Sequence, residues 1–264
     1  MLRADVHGLS VAYERAGHGP ALVLLHGFLF DSRAWRPQLE DLSSDFTVIA
    51  WDAPGAGRSA DPPEPFGIGD WTDCLAGLLD VVGIRRAHVV GLSWGGLLAQ
   101  ELYRRDRTRA LSLVLADTYA GWAGSLGTPT AEERLASCLR DSKLPAGEFV
   151  SRYLPGMHSH AAARGVRDEL AKIMSEFHPT GFRLMARSLA DSDTRDLVAE
   201  IRVPTLLVWG EADVRSPLSV AHELQHRIPG ARLVVIPETG HLSNVEAPAR
   251  FNAELRYFCL HASA

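Results

Sequence analysis

Three side chains that lie far apart in the sequence could together make a nucleophile: Ser93, Asp213 and His241. A serine hydroxyl is too weakly acidic to attack a carbonyl at neutral pH. It therefore needs a base, and histidine is the side chain whose charge changes near pH 7. The base in turn needs an acceptor on its other ring nitrogen, which fixes the tautomer and stabilises the imidazolium. These residue types predict acyl transfer, in which Ser93 attacks, His241 moves its proton and Asp213 orients His241.

The sequence around Ser93 predicts where its hydroxyl points. Ser93 lies in Gly91-Leu92-Ser93-Trp94-Gly95-Gly96, after a short apolar run and before a segment typical of a helix. This pattern predicts a strand, an abrupt turn and a helix, with the serine at the apex. Glycines two positions before and after the serine leave room for a crowded backbone. The helix N-terminus then points at the hydroxyl, so we expect the backbone N–H of Trp94 to be free to stabilise a developing negative charge.

The elements that must position these residues are read from hydrophobic patterning. Residues 2–15 predict a β-hairpin that turns at His7-Gly8. Beyond it, continuous apolar runs alternate with amphipathic segments, which indicates parallel strands that are buried on both faces and joined by helices. Eight strands are predicted, the first pair antiparallel. Asp213 and His241 follow the last two runs, so both lie at the carboxyl edge of the sheet, where such sheets place their chemistry. The six runs are 21–25, 46–51, 88–92, 111–116, 205–209 and 232–236.

One long interval contains no buried strand. Between Asp117 and Val203 only helical patterns occur, at 131–140, 165–177 and 181–189. A structureless loop of this length is improbable in a compact domain. The prediction is therefore a core domain of residues 1–118 and 201–264, with a mainly helical cap of residues 119–200 over the sheet.

Four segments carry a resemblance to a known family: 24–28, 52–59, the turn at Ser93, and the pair 210–213 and 240–248. In this order along the chain they resemble the α/β-hydrolase superfamily over essentially the whole sequence. The resemblance implies that fold: a mostly parallel eight-stranded sheet flanked by helices, with an inserted helical cap. It also implies that the backbone N–H of Phe28 is the second oxyanion-hole donor, and that no cofactor is required. Ala56 departs from the larger residue common in that family.

The acid of the triad has an alternative. Asp117 also ends a predicted strand, and some hydrolases take their acid from that position. The chain order serine, aspartate, histidine favours Asp213. His26 is interpreted as a structural member of its turn.

The predicted substrate is a carboxylic ester or lactone of small to medium size. Residues 113–122, with a helical cap, look most like the small-ester and enol-lactonase-like branch of the superfamily. The same triad also serves carbon–carbon bond hydrolases, and the family includes cofactor-free perhydrolases and oxygenases. A hydrolase-derived ligand-binding protein is a further alternative. Apolar residues of the cap either line the acyl pocket or form the core of the cap itself: Trp122, Phe149, Met157, Phe177, Phe182 and Met185.

Several other classes are disfavoured. The formal charge of −5 without a basic stripe argues against a nucleic-acid partner. The segment His222-Glu223-Leu224-Gln225-His226 matches a zinc-protease motif, but helical spacing places both histidines opposite the apolar face, so no metal site is expected. Three scattered cysteines fit a reducing compartment. No secretory leader or apolar span is recognised, and a cytoplasmic location without a membrane partner is predicted.

Overall fold

The computed structural model describes residues 1–262, and these form an eight-stranded sheet. The strand order is β1-β2-β4-β3-β5-β6-β7-β8. Only β2 runs against its neighbours, because it pairs antiparallel with both β1 and β4, while every later pairing is parallel. This confirms the predicted α/β-hydrolase fold. The strands are β1 (Leu2–Val6), β2 (Leu9–Ala16), β3 (Ala21–Leu25), β4 (Thr47–Trp51), β5 (Ala87–Leu92), β6 (Ala110–Ala116), β7 (Thr205–Gly210) and β8 (Arg232–Ile236).

The central strands are buried because they carry apolar side chains on both faces. Every residue of β5 and β7 is buried, as expected for parallel strands covered by helices. The carboxyl ends of β5, β6, β7 and β8 therefore meet at one edge of the sheet. In the described part of the chain, six α-helices outside the interval between β6 and β7 flank the sheet: α1 (Arg36–Leu42), α2 (Ile68–Val81), α3 (Trp94–Arg105), α10 (Leu218–Arg227), α11 (Ser243–Glu246) and α12 (Pro248–His261). Among the described residues, no helix is both long and apolar enough to cross a bilayer.

The interval between β6 and β7 is helical. The three predicted helices are present, as α5 (Thr128–Asp141), α7 (Arg164–Ser175) and α8 (Pro179–Asp191). The proline near the start of α5 and α8 suits the first turn of a helix. Three shorter helices were not predicted from the sequence. The interval contains α4 (Trp122–Leu126), α5 (Thr128–Asp141), α6 (Ala146–Tyr153), α7 (Arg164–Ser175), α8 (Pro179–Asp191) and α9 (Arg195–Val198).

Helix α8 fastens this helical segment to the sheet layer. Phe182 stacks on Phe28 with ring centroids 4.8 Å apart. The indole Nε1 of Trp94 donates to Ser188 Oγ at 3.0 Å, and Arg183 forms an ion pair with Glu64 at 3.0 Å. Apolar stacking and a buried hydrogen bond hold such a contact more firmly than the half-exposed ion pair. Helix α8 therefore packs against Phe28, in the loop after β3, and against Trp94, the residue that follows Ser93.

Candidate active site

The structure brings Ser93, His241 and Asp213 into one hydrogen-bonded chain. His241 Nε2 lies 2.9 Å from Ser93 Oγ, and His241 Nδ1 lies 2.8 Å from Asp213 Oδ2. All three residues are buried, each about 5% exposed. Both ring nitrogens of His241 are thus engaged, one by the hydroxyl and one by the carboxylate. This is the geometry in which an imidazole can take a proton from a serine while a carboxylate holds its tautomer.

Ser93 occupies a strained turn between β5 and α3. Its backbone has φ 53° and ψ −115°, a left-handed conformation that is uncommon for a residue with a side chain. Its amide donates to Ala116 O at 2.9 Å, which fixes the turn to the end of β6. A side chain at Gly91 would overlap the carbonyl oxygen of Gly95, and one at Gly95 would overlap that of Leu25. The two glycines are therefore required by close backbone approach, and the strain persists because the surrounding sheet determines it.

Asp213 is held by its own loop. Its Oδ1 accepts hydrogen bonds from the backbone amides of Arg215 at 2.7 Å and Ser216 at 3.0 Å. Ser216 Oγ in turn donates to Thr118 O at 2.6 Å, beyond the end of β6. One carboxylate oxygen is thus used to anchor the loop, and the other is left for His241.

Asp117, the alternative acid, forms no hydrogen bond with His241. Its Oδ1 accepts from the Gly210 amide at 2.7 Å, and its Oδ2 accepts from Ser243 Oγ at 2.6 Å. Burial, with the nearby charge of Asp213 as a smaller cause, holds the pKa of Asp117 well above its ordinary value. Asp117 therefore links Gly210, at the end of β7, to Ser243, two residues after His241.

The backbone amides of Phe28 and Trp94, close to Ser93, have no backbone acceptor among the described residues. The Gly27 carbonyl is pinned by His26 Nδ1 at 2.9 Å and by the Phe30 amide at 3.2 Å. Because a trans peptide points its C=O and N–H in opposite directions, this orients the Phe28 N–H away from those partners. His26 Nε2 accepts from the Ala53 amide at 3.0 Å, and burial lowers the pKa of His26, so the neutral ring serves as a structural member of the turn.

A cavity of about 320 Å³ opens beside Ser93 and His241. Its wall is formed partly by the segment that follows β6 and the loop after β7, and partly by α4, α5 and the end of α6. Its lining combines aromatic rings with polar and charged groups. The lining residues are Phe28, Ser93, Tyr119, Trp122, Thr130, Glu133, Arg134, Ser137, Cys138, Tyr153, Met157, Leu189, Arg215 and His241.

Residues 22–254 match the alpha/beta hydrolase family, which is most of the 264-residue chain. The chain belongs to this family. The expectation drawn from the four sequence segments is thereby confirmed at the level of the superfamily, and the protein is an enzyme of this kind.

Relatives of this hydrolase include a named esterase and a named lactonase. It is 30% identical to a pimeloyl-[acyl-carrier protein] methyl ester esterase of Nitrosomonas europaea, over 92% of this chain and 96% of that protein. It is 28% identical to 3-oxoadipate enol-lactonase 1 of Acinetobacter baylyi, over 92% of this chain and 90% of that one. A thermophilic esterase from Thermogutta terrifontis superposes with a TM-score of 0.92 at 27% identity, covering 100% of this chain and 99% of its own.

The apolar residues predicted for the substrate pocket of the hydrolase fall into two groups. Trp122 and Met157 line the cavity beside Ser93. The other four do not line this cavity. Three of the four form an aromatic cluster between α6 and α8, in which Phe149 stacks on Phe177 at 3.7 Å and meets Phe182 edge-on at 4.9 Å. The fourth, Met185, is buried on α8 beside them.

Sequence reasoning missed the charged residues of the cavity. Arg134 lies within α5 and Arg215 lies two residues after Asp213, and both line the cavity wall. Charged residues at helical spacing usually indicate a solvated face, so periodicity could not have found Arg134. The position of Arg215 beside a candidate acid was the only available signal.

The segment 222–226, which matches a zinc-protease motif, turns its histidines to solvent. His222 and His226 are exposed on α10, while Val220, Ala221 and Leu224 on the same helix are buried. The predicted orientation of this helix is confirmed. Among residues 1–262, no group of three or more His, Cys, Asp or Glu side chains is arranged to hold a metal ion.

Proposed function

We propose that this hydrolase cleaves carboxylic esters or lactones of small to medium size, with Ser93 as nucleophile, His241 as general base and Asp213 as the group that orients His241. The observation that carries the proposal is the continuous chain of hydrogen bonds from Ser93 to His241 to Asp213, at 2.9 and 2.8 Å, beside a cavity.

The first half of the reaction forms an acyl-enzyme. Ser93 Oγ attacks the substrate carbonyl while its proton moves to His241 Nε2, and Asp213 stabilises the imidazolium that results. The carbonyl oxygen becomes an oxyanion, which the backbone N–H groups of Phe28 and Trp94 stabilise. The C–O bond then breaks, and His241 returns the proton to the leaving alcohol. In a lactone the alcohol stays attached to the acyl group.

Water completes the reaction. It attacks the acyl-enzyme carbonyl as His241 accepts one of its protons, and the same two amides hold the second oxyanion. Collapse of this intermediate returns the proton to Ser93 Oγ and releases the carboxylic acid. Both halves of the reaction therefore use the same three side chains, and water is the only reactant needed besides the substrate.

The size of the cavity supports a small or medium substrate. Its volume of about 320 Å³ lies near the lower end of the range of ligand pockets. We propose that residues 119–200 act as a cap, because α4, α5 and the end of α6 supply much of the wall of the cavity. The esterase and enol-lactonase named above support the ester and lactone class.

Removal of the hydroxyl tests the proposal. Ser93→Ala should reduce kcat for p-nitrophenyl acetate by several orders of magnitude, on the order of 10⁶ where a comparable triad was dissected. A fluorophosphonate should label the protein at Ser93 alone. The same preparation is then assayed on a panel of esters, lactones and diketones. Cleavage of diketones alone would favour the carbon–carbon hydrolases, and label without turnover would favour a binding protein.

A further inference from the structure

Two arginines face the same cavity as the candidate triad. Arg134 comes from α5, and Arg215 comes from the loop that supplies Asp213. Both side chains are half-buried. A pocket built only for a neutral ester would be expected to be mainly apolar, so two cations in its wall require an explanation.

Neither guanidinium has a carboxylate partner. Within residues 1–262, no Asp or Glu carboxylate oxygen lies within 4.0 Å of a guanidinium nitrogen of Arg134 or Arg215, although Arg152 pairs with Asp141 at 2.7 Å nearby. Glu133 also lines the cavity, but its side chain is exposed. Burial lowers the pKa of Arg215, as expected for a cation withdrawn from water without a counter-ion.

Aromatic rings hold both guanidinium groups in place. Arg134 lies over the rings of Trp122 and Tyr119, 5.6 and 6.0 Å from their centroids, and Arg215 lies over Tyr153 at 5.6 Å. Gly156 allows this position, because a side chain there would approach Arg215 Nε to 3.0 Å. Cation–π contacts fix the guanidinium planes without neutralising their charge.

Hydrogen bonds fix Arg134 and Arg215 relative to the triad. The amide of Arg215 donates to Asp213 Oδ1 at 2.7 Å, and Arg134 Nη2 donates to Arg215 O at 3.2 Å. Arg134 Nη1 lies 3.3 Å from Tyr119 Oη, and Arg215 Nη2 donates to Tyr153 O at 3.1 Å. A guanidinium carries five N–H donors. Each arginine therefore keeps donors that these protein contacts do not use.

We propose that Arg134 and Arg215 bind a carboxylate of the substrate, so that the preferred substrate is an ester or lactone with a second, ionised carboxyl group away from the bond that is cleaved. The inference rests on the proposed function and names its substrate class. Paired guanidinium groups suit a carboxylate because charge-assisted hydrogen bonds are the strongest of their kind, and the fork of an arginine matches the two carboxylate oxygens.

The test compares substrates that differ only in charge. One series contains the monomethyl esters of four- to six-carbon dicarboxylic acids, and a second contains the acetyl esters of short hydroxy acids. Each is assayed beside the matching carboxamide, by titration of the acid released. The ratio of kcat/KM for carboxylate over carboxamide should be at least about tenfold in one of the series.

Substitutions of the two arginines test whether they cause the preference for the carboxylate. Arg134→Gln and Arg215→Gln should each reduce the ratio severalfold, and Arg215→Lys should keep part of it. Arg167→Gln removes the same charge from an exposed position on α7 outside the cavity, and should leave the ratio unchanged. A ratio near one in both series of the wild-type protein, or a ratio unchanged in both glutamine variants, would overturn the inference.

A binding measurement separates this inference from the proposed function. Calorimetry with Ser93→Ala and the same carboxylate and carboxamide pairs needs no turnover. Tighter binding of the carboxylate supports the inference even if catalysis is lost, whereas equal or weaker binding contradicts it. Failure of the wild-type protein to hydrolyse p-nitrophenyl acetate contradicts the proposed function instead.

Discussion

Glu246 accepts a hydrogen bond from the backbone amide of Ser159 at 2.9 Å, which ties the loop between α6 and α7 to the loop of His241. The other oxygen of the same carboxylate accepts from the amide of Gly240 at 2.9 Å. Gly240 immediately precedes His241. One side chain thus links the helical segment above the cavity to the backbone that positions the candidate base.

Glu246→Gln should disturb both loops. One carboxylate oxygen becomes an NH₂ group that faces a backbone N–H, so one hydrogen bond is lost and two donors oppose each other, at a cost of about 1–3 kcal/mol. We expect a lower Tm and a kcat/KM on p-nitrophenyl butyrate reduced roughly tenfold, because a small shift of the base misaligns it. Glu223→Gln, at an exposed position on α10, is the control. Unchanged Tm and kcat/KM would show that the link has no role.

The two buried aspartates should respond differently to the same substitution. Asp213→Asn should reduce kcat by about 10⁴-fold, as in a comparable triad, because the amide presents a donor to His241 and favours the wrong tautomer. Asp117→Asn should cost less than about tenfold, since the Ser243 hydroxyl can turn and accept from the new amide group. Steady-state kinetics on one ester measures both. A larger loss in Asp117→Asn than in Asp213→Asn would reverse the assignment of the acid.

His88 should make the fold sensitive to acid. It lies on β5 with Nδ1 2.8 Å from Ser112 Oγ, and burial lowers its pKa from 6.5 to about 4. Between these values the unfolded chain binds a proton that the folded one does not, so stability falls as the pH falls through this window. The loss between pH 7 and pH 5 should be about 2 kcal/mol from this residue.

Urea unfolding at pH 7 and pH 5 measures this contribution of His88. His88→Gln should flatten the decrease between the two pH values, whereas His222→Gln, on the exposed face of α10, should not. An identical decrease in wild type and His88→Gln would rule out His88 as the cause.

Cavity and core apolar residues should respond differently to truncation. Phe149→Ala should destabilise the fold by about 3–5 kcal/mol, because it removes a fully buried ring from the cluster with Phe177 and Phe182. Met157→Ala should change KM and the preference for acyl chain length, since Met157 lines the cavity. Its loss of stability should be smaller than that of Phe149→Ala. Chemical denaturation and a series of C2 to C8 p-nitrophenyl esters check the pair. Similar stability losses without a change in chain-length preference would contradict the division.

Local patterns were enough to predict the sheet and the turn at Ser93. The strands are continuous apolar runs, and the turn is encoded by adjacent residues. The choice between Asp117 and Asp213 could not be made locally, because both follow strands that end at the same edge. Only the path of the loop after β7 brings Asp213 to His241.

The helical segment was harder to predict for two reasons. Helices α4, α6 and α9 have eight residues or fewer, too few to establish a clear period. Composition also does not tell which way an apolar side chain points. Phe149 and Met157 are equally apolar, yet one is core and the other lines the cavity.

The central claim is that Ser93 carries the acyl group. Rapid mixing with p-nitrophenyl acetate, followed by acid quench and mass spectrometry of the peptides, tests it most directly. We predict a burst of about one p-nitrophenol per protein and an acetyl group on the Ser93 peptide, both absent from Ser93→Ala. Cys138 also lines the cavity, but burial raises its pKa to about 11, so it should remain an unmodified thiol. An acetyl group on Cys138 or any other residue, or an undiminished burst in Ser93→Ala, would contradict the account.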